Sequence, residues 1–451
     1  MKQLIDFPYK HVLVLGLAKS GTAAAQLLLD SGITVRVNDM NTADDDEVVV
    51  QLRKQGAELI VGGHPLSVMD DIDLMVKNPG IPYEHALVKA AMERDIPIVT
   101  EVELAFHLAK NNEVIGITGS NGKTTTTMLA YEMIEASNQS IKLAGNIGIV
   151  ATDVARQLSK DDRLLMELSS FQLLGTKSFR PHIACLLNLY DAHLDYHGTV
   201  AEYEEAKAQL FLKQTEDDYL VYNADDAKVV ELISTAKAQL VPFSTKIPQK
   251  ETGAWTDGLA LYYKGEKIID LEEVVLVGSH NIENMLAAIS IAKLSGATNE
   301  GICHVLRRFS GVKHRLQYVG EVAGRYFYND SKATNILATQ KALQSFDSPL
   351  ILLAGGLDRE EDLSLLIPYL KHVKTMITFG ETKDKLVKLA EEANIHDVHM
   401  VNDVSEATKL AFKQSKLGDT ILLSPACASW DQYKTFEVRG DMFIETVHTL
   451  G

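Results

Sequence analysis

The sequence predicts an α/β protein of three domains, each built on a mostly parallel sheet, and three observations carry the prediction. Short β-branched runs alternate with helical stretches along the chain, the rhythm of βα units. Glycine turns stand between strands and the helices after them, most plainly in VIGITGSNGKTTTT (114–127). At 451 residues the chain is also too long for a single hydrophobic core.

Residues 1–101 read as a small Rossmann-like domain. HVLVLGLAKSGTAAAQLLLDSG followed by ITVRVNDM is strand, glycine turn, helix, strand, ending in Asp39. Gly16 and Gly21 take the outer positions of G-x-G-x-x-G, but Ala18 replaces the middle glycine that lets the backbone approach a pyrophosphate. A nucleotide held by N–H groups of the Gly16 loop fits this pattern, and a nicotinamide dinucleotide does not. Asp39 suits a ribose or base edge as well as it suits a solvated turn. GAELIVGG, DLMVKNPGIP with its turn at Asn78-Pro79-Gly80, and DIPIVT supply further strands.

Residues 102–311 read as a central P-loop ATPase domain. The β-branched run VIGI leads into a glycine turn, and Lys123 and Thr124 open a helix. Gly119, Ser120, Asn121, Gly122, Lys123, Thr124 and Thr125 are the phosphate-binding candidates. Loop N–H groups and a helix N-terminus offer partial positive charge, Lys123 adds a full one, and the Thr124 hydroxyl can reach Mg²⁺. The match to G-x-x-x-x-G-K-[ST] is imperfect, because Ile117 stands where the first glycine belongs and Gly116 comes one residue early, so the loop is a shortened variant. KLAGNIG then offers Asn146 in a turn, and LLMELSSFQL ends a strand at Glu167, a candidate for holding Mg²⁺. IACLLNL empties into a loop with His193, Asp195 and His197. Lys207, flanked by Glu204 and Glu205, reads on its own as part of a solvated helix face. In HNIENMLAA, Asn281 and Asn284 share a helix face and suit contact with a base.

Residues 312–451 repeat the α/β rhythm as a C-terminal Rossmann-like domain. YNDSKATN crowds Asp330, Ser331, Lys332 and Thr334 after a strand, and LLSPACASWDQ empties a buried strand into small residues. Cys427 has no histidine base tied to it by any motif and reads as packing.

Composition bounds the function. A formal charge of −17 argues against nucleic acid and requires anionic substrates to be held by local donors. No apolar run reaches the length of a membrane span and no cleavable leader is visible, so no membrane partner and a cytoplasmic location are expected. Three separated cysteines indicate neither a disulfide framework nor a zinc site. Nothing in the sequence demands more than a monomer.

TGSNGKTT, GNIG, ELSSFQL, NLYDAHLDYH, HNIENMLAA, HRLQ, NDSKATN and SPACASWDQYKTFEVRG occur in this order along essentially the whole chain, and together they resemble the Mur ligases, the amide-forming ligases of peptidoglycan synthesis. TGSNGKT and the HR dipeptide are shared with a wider superfamily that includes folylpolyglutamate synthases; NDSKATN with SPACASWDQ is far more selective. The resemblance implies ATP and Mg²⁺ on the central domain, UDP-N-acetylmuramoyl-L-alanine on the first and D-glutamate on the third. By motif it places Lys123 and Thr124 on the ATP phosphates and Mg²⁺, Glu167 and His193 at the metal, and Asn146 near the UDP-sugar. Asn281, Asn284, Arg315 and Asp330 fall on nucleotide contacts, and Lys332, Thr334, Ser429 and Phe436 on D-glutamate. Lys207 matches a lysine carried as a carbamate that helps to hold Mg²⁺, which requires its amine to be neutral although a free lysine titrates near ~10.4. His193 is the candidate base for the incoming amine. The chain departs from the family pattern at Arg359, where a lysine often faces the D-glutamate side chain, and at Met40, which follows Asp39. A sister ligase with another amino acid, a folylpolyglutamate synthase and a nucleotide-binding regulatory module are the rival readings. A regulatory module has no need of Glu167, Lys207 and Lys332 spread over the chain.

Overall fold

The computed structural model describes residues 1–190, 194–276, 278–346 and 348–450. These residues form three sheets. In the first, β1 (His11–Leu15), β2 (Thr34–Asp39), β3 (Glu58–Val61), β4 (Leu74–Lys77) and β5 (Ile98–Val99) lie in the order β3-β2-β1-β4-β5, all parallel. The strand order reverses between β1 and β4, so the Gly16 loop and the turn after Lys77 meet at the carboxyl ends of these strands, where open α/β sheets take ligands.

The second sheet has nine strands: β6 (Val114–Thr118), β7 (Ile141–Gly145), β8 (Arg163–Glu167), β9 (Ile183–Leu186), β10 (Tyr219–Asn223), β11 (Gln239–Ser244), β12 (Ala254–Thr256), β13 (Ala260–Tyr263) and β14 (Glu266–Asp270). Their order is β14-β13-β12-β11-β10-β9-β6-β8-β7, parallel except for the antiparallel ribbon β12-β13-β14. Every residue of β6 and β9 is buried, which is why these runs read as unbroken apolar stretches instead of alternating ones. The third sheet orders β15 (Gln317–Val322), β16 (Arg325–Asn329), β17 (Leu350–Gly355), β18 (Val373–Phe379), β19 (Asp397–Met400) and β20 (Thr420–Leu423) as β15-β16-β20-β17-β18-β19, with only β15–β16 antiparallel.

Two compact units result, Met1–Glu273 with Ile282–Arg307 and Val274–Asn281 with Arg308–Gly451. Within the first, the segment leaving β5 fastens the first sheet to the second. Thr100 Oγ1 donates to the Gln172 carbonyl at 2.7 Å, and the buried Glu103 carboxylate accepts the amides of Lys177 (2.9 Å) and Ser178 (2.8 Å). The three cysteines are free and buried. Among the described residues no helix is long and apolar enough to cross a membrane.

Candidate active site

The phosphate-loop candidates lie where β6 ends. Gly122 adopts φ +82° as the residue before the helix Lys123–Ala136, and a Cβ there would strike the Asn284 side chain, so only glycine fits. Gly116 has a different reason to be glycine. It sits inside β6, where a Cβ would come within 2.7 Å of Leu210 Cδ1, so it serves packing and leaves the loop itself short. Lys123 Nζ folds back onto the loop and donates to the carbonyls of Gly119 (2.8 Å) and Ser120 (3.1 Å). Asn188, just past β9, anchors the loop from the neighbouring strand: its carbonyl accepts Ser120 N–H at 3.0 Å and its Oδ1 accepts Asn121 N–H at 2.8 Å. Thr124 and Thr125 lie in the first turn of the helix, whose leading N–H groups have no intrahelical partner.

Glu167 ends β8, the immediate neighbour of β6, with Ile117 and Glu167 in register. Its carboxylate is 2% exposed. Oε1 accepts from Asn146 Nδ2 at 3.1 Å, while Oε2 has no hydrogen-bond partner among the described residues. A buried carboxylate oxygen left without a donor is costly, and a cation beside the loop satisfies it, so the donor set fits Mg²⁺.

Lys207 is not on a solvated face. The helix Val200–Ala208 starts with a capping box between Thr199 and Glu202, and this orientation turns Lys207 inward to 2% exposure while Glu204 and Glu205 stay outside the core. Its Nζ donates to Gly119 O at 2.9 Å and lies 3.4 Å from Thr118 Oγ1. Burial, and then the charge of Lys123, push its pKa well below the usual lysine value. His193 lies outside the described residues. The loop expected around it contains the helix Leu194–His197, where His197 is buried and bonds Ser170 Oγ at 2.9 Å.

At the carboxyl ends of the first sheet's strands, Gly16 (φ +95°) has Asn78 packed against it. Asp39 faces inward to its own loops: Oδ2 accepts Leu17 N–H at 2.7 Å, and Oδ1 accepts from Asn41 N, Thr42 N and Thr42 Oγ1 at 2.8–2.9 Å. Burial raises its pKa, but these bonds outweigh burial and hold the carboxyl below its ordinary value. Four donors fill a carboxylate's usual acceptor capacity, so Asp39 shapes the Gly16 loop first of all.

In the second unit, Asp330 is buried where β16 ends, with Oδ1 accepting Leu316 N–H and Oδ2 accepting Ser424 Oγ–H, both at 3.0 Å; burial pushes its pKa up to about 7. Arg315, the exposed residue before Leu316, belongs to this unit, as does Asn281, whereas Asn284 belongs to the first. A pocket has Thr334, Arg359, Thr382, Ala426 and Cys427 on its wall. Lys332 Nζ lies 5.5 Å from the Phe436 ring centre, and Ser429 is buried next to exposed Trp430. The Arg359 guanidinium sits 4.8 Å over the Trp430 ring. Sequence reasoning missed Arg439, fully buried, whose guanidinium donates to Ser331 Oγ and to the carbonyls of Ser331, Gly355 and Cys427 at 2.9–3.2 Å and so ties three pocket loops together. Asn188 was missed too, although an amide directly ending an apolar strand was its signal.

The three sheets coincide with three family models: Mur ligase MurD-like, N-terminal domain at 10–100, Mur ligase middle domain at 117–292, and Mur ligase, glutamate ligase domain at 314–427. The chain belongs to the Mur ligase family, a class of ATP-dependent amide-forming ligases. It is 58% identical over 450 residues, and 100% of both chains, to the UDP-N-acetylmuramoylalanine--D-glutamate ligase of Oceanobacillus iheyensis. To the enzyme of the same name from Bacillus subtilis (strain 168) it is 54% identical over 443 residues, 98% of each chain. Solved structures share the fold at lower identity. The UDP-N-acetylmuramoylalanyl-D-glutamyl-2,6-diaminopimelate--D-alanyl-D-alanyl ligase from Acinetobacter baumannii matches with TM-score 0.58 and 17% identity over 96% of this chain and 93% of that one. The UDP-N-acetylmuramate-alanine ligase from Thermotoga maritima matches with TM-score 0.55 and 17% identity over 98% and 99%.

Proposed function

We propose that this chain joins D-glutamate to UDP-N-acetylmuramoyl-L-alanine at the expense of ATP. One observation carries the reading: a phosphate loop, a buried Glu167 carboxylate oxygen without a partner among the described residues and a buried low-pKa lysine, Lys207, meet at one end of one sheet, in a chain more than half identical throughout to ligases of that name.

A carboxylate is a poor acyl donor. The L-alanine carboxylate of the UDP-sugar therefore attacks the γ-phosphorus of ATP, forming an acyl phosphate and releasing ADP, and the D-glutamate amine then displaces phosphate to give the amide. The first step brings two anions together. Lys123 and the loop N–H groups hold the triphosphate, and Glu167, Thr124 and Lys207, the last as its carbamate, are the residues that hold Mg²⁺. When bound, Mg²⁺ supplies the charge neutralisation that the approach needs. The Gly16 loop and Asn146 bind the UDP-sugar. Lys332, Thr334, Arg359, Ser429 and Phe436 bind D-glutamate, and Asn281, Asn284, Arg315 and Asp330 contact ATP.

The test is phosphate release from ATP with Mg²⁺ and UDP-N-acetylmuramoyl-L-alanine, comparing D-glutamate with L-glutamate, L-alanine and meso-diaminopimelate. Release that requires the UDP-sugar and D-glutamate together, with an amide product of matching mass, is expected. Release with another amino acid moves the chain to a sister activity, and release with none refutes the reading.

Arg359 carries a narrower prediction. Its planar cation stacks on Trp430, an interaction worth ~0.5–1 kcal/mol when exposed, and the stack fixes the fork offered to a carboxylate. Trp430→Leu should raise KM for D-glutamate by roughly twofold to fivefold with kcat unchanged. A fall in kcat at constant KM would exclude a role for the stack in binding.

A further inference from the structure

Lys77 is a buried cation that the reaction above does not use. It ends β4 at 1% exposure, and among the described residues no carboxylate pairs with it. A buried ammonium is costly unless its protons are satisfied. Here the acceptors are the Ile81 carbonyl at 2.6 Å, the Tyr196 hydroxyl at 3.0 Å, and the carbonyls of Asn78 and Pro79 at 3.3 and 3.5 Å. The Tyr83 ring covers it, with its centre 4.8 Å from Nζ. Burial lowers its pKa to about 8.

The two ends of this cluster lie on different sheets. The carbonyls belong to the 78–81 turn, which walls the Gly16 loop: a Cβ on Gly16 would lie 2.9 Å from Asn78 Cβ and 3.1 Å from Ile81 Cδ1, and Asn78 N–H bonds the Leu15 carbonyl at 2.9 Å. Tyr196 belongs to the helix Leu194–His197 of the second domain, and its hydroxyl also lies 3.0 Å from the carbonyls of Pro79 and Ile81. Its ring packs on Phe171 at 4.5 Å between centres, in the short helix that follows Glu167. One ammonium therefore closes the turn and, through one hydroxyl, fastens it to the segment after the Glu167 strand.

We propose that Lys77 is a positioning residue for the sugar-nucleotide substrate, holding the 78–81 turn against the Gly16 loop and, through Tyr196, setting that loop relative to the Glu167 end of the central sheet. This rests on the reading that the Gly16 loop binds a UDP-sugar. Lys77→Met keeps the length of the aliphatic stem and removes the ammonium with its donors. It should raise KM for UDP-N-acetylmuramoyl-L-alanine roughly tenfold, in line with loss of buried charged hydrogen bonds, and leave KM for D-glutamate and ATP within about twofold. Tyr196→Phe preserves the packing on Phe171 and should raise the same constant about threefold. Tyr196 also bonds the turn directly, so the two changes act on one cluster and the double variant should fall short of the product of the single effects.

Binding of the UDP-sugar to the unmodified protein, measured first by calorimetry, separates the two ideas. No binding there overturns the assignment of the Gly16 loop, and with it this inference. Binding there, with an unchanged constant in both variants, overturns the role of Lys77 alone, as would equal rises in all three KM values or additive effects in the double variant. Should Lys77→Met fail to fold, Tyr196→Phe carries the test by the same criteria.

Discussion

Lys123→Ala should reduce turnover by roughly 10²–10³-fold, the usual scale for removing one preorganised donor from developing charge, while binding of UDP-N-acetylmuramoyl-L-alanine changes by less than about twofold. The reasoning is electrostatic. The chain carries a formal charge of −17, so its overall field opposes both a triphosphate and a substrate carboxylate, and attraction has to come from within a few ångströms. Lys123 is the full positive charge at the head of the helix, held over the loop by Gly119 O and Ser120 O. Alanine at the first helical position supports the helix, so the loss is chemical and not a loss of fold. Phosphate release and calorimetric titration of the UDP-sugar on the same preparation give the comparison. Equal losses in both would mean that the loop and the sugar-nucleotide site are not separate.

Lys207→Met should lower activity on the order of 10²-fold or more, and it should also change how stability depends on pH. The lysine is buried against Gly119 O and Thr118 Oγ1, and burial first, then Lys123, depress its pKa. Its folded pKa lies below its unfolded value near ~10.5. Between the two, the unfolded chain binds the extra proton, so this residue makes stability rise as pH climbs through that window, and below the folded pKa its full penalty applies. Methionine removes the titration, so the variant's melting temperature should lose that rise and exceed that of the unmodified protein by more as pH falls through the window. A neutral amine is also the form that adds CO₂ to give a carbamate with loss of a proton. Activity of the unmodified protein should fall in CO₂-depleted buffer and return with bicarbonate, and Lys207→Met should not respond. An active variant that still needs bicarbonate would place the carbamate elsewhere.

What the sequence determined by itself was whatever is written in neighbouring residues. The α/β class and the three mostly parallel sheets follow from runs such as VLVL and VIGI, whose unbroken apolarity reports burial on both faces, and from the glycine turns after them. The phosphate loop was legible for the same reason, since strand, glycine turn and Lys-Thr helix start are consecutive. Side-chain direction was not. Lys207 looks solvent-facing beside Glu204 and Glu205, and only the packing of its helix against the loop turns it inward. Asp39 ends a strand in either case, but the four donors that fill its carboxylate come from two loops brought together by the sheet. Arg439 and Lys77 had no local signature at all. Each is a buried cation held mainly by backbone carbonyls; those of Arg439 come from up to 108 residues away, whereas those of Lys77 lie within four residues and its distant partner is the Tyr196 hydroxyl, 119 residues on. A backbone carbonyl carries no residue identity, so a site built from carbonyls exists only once the chain has folded around it.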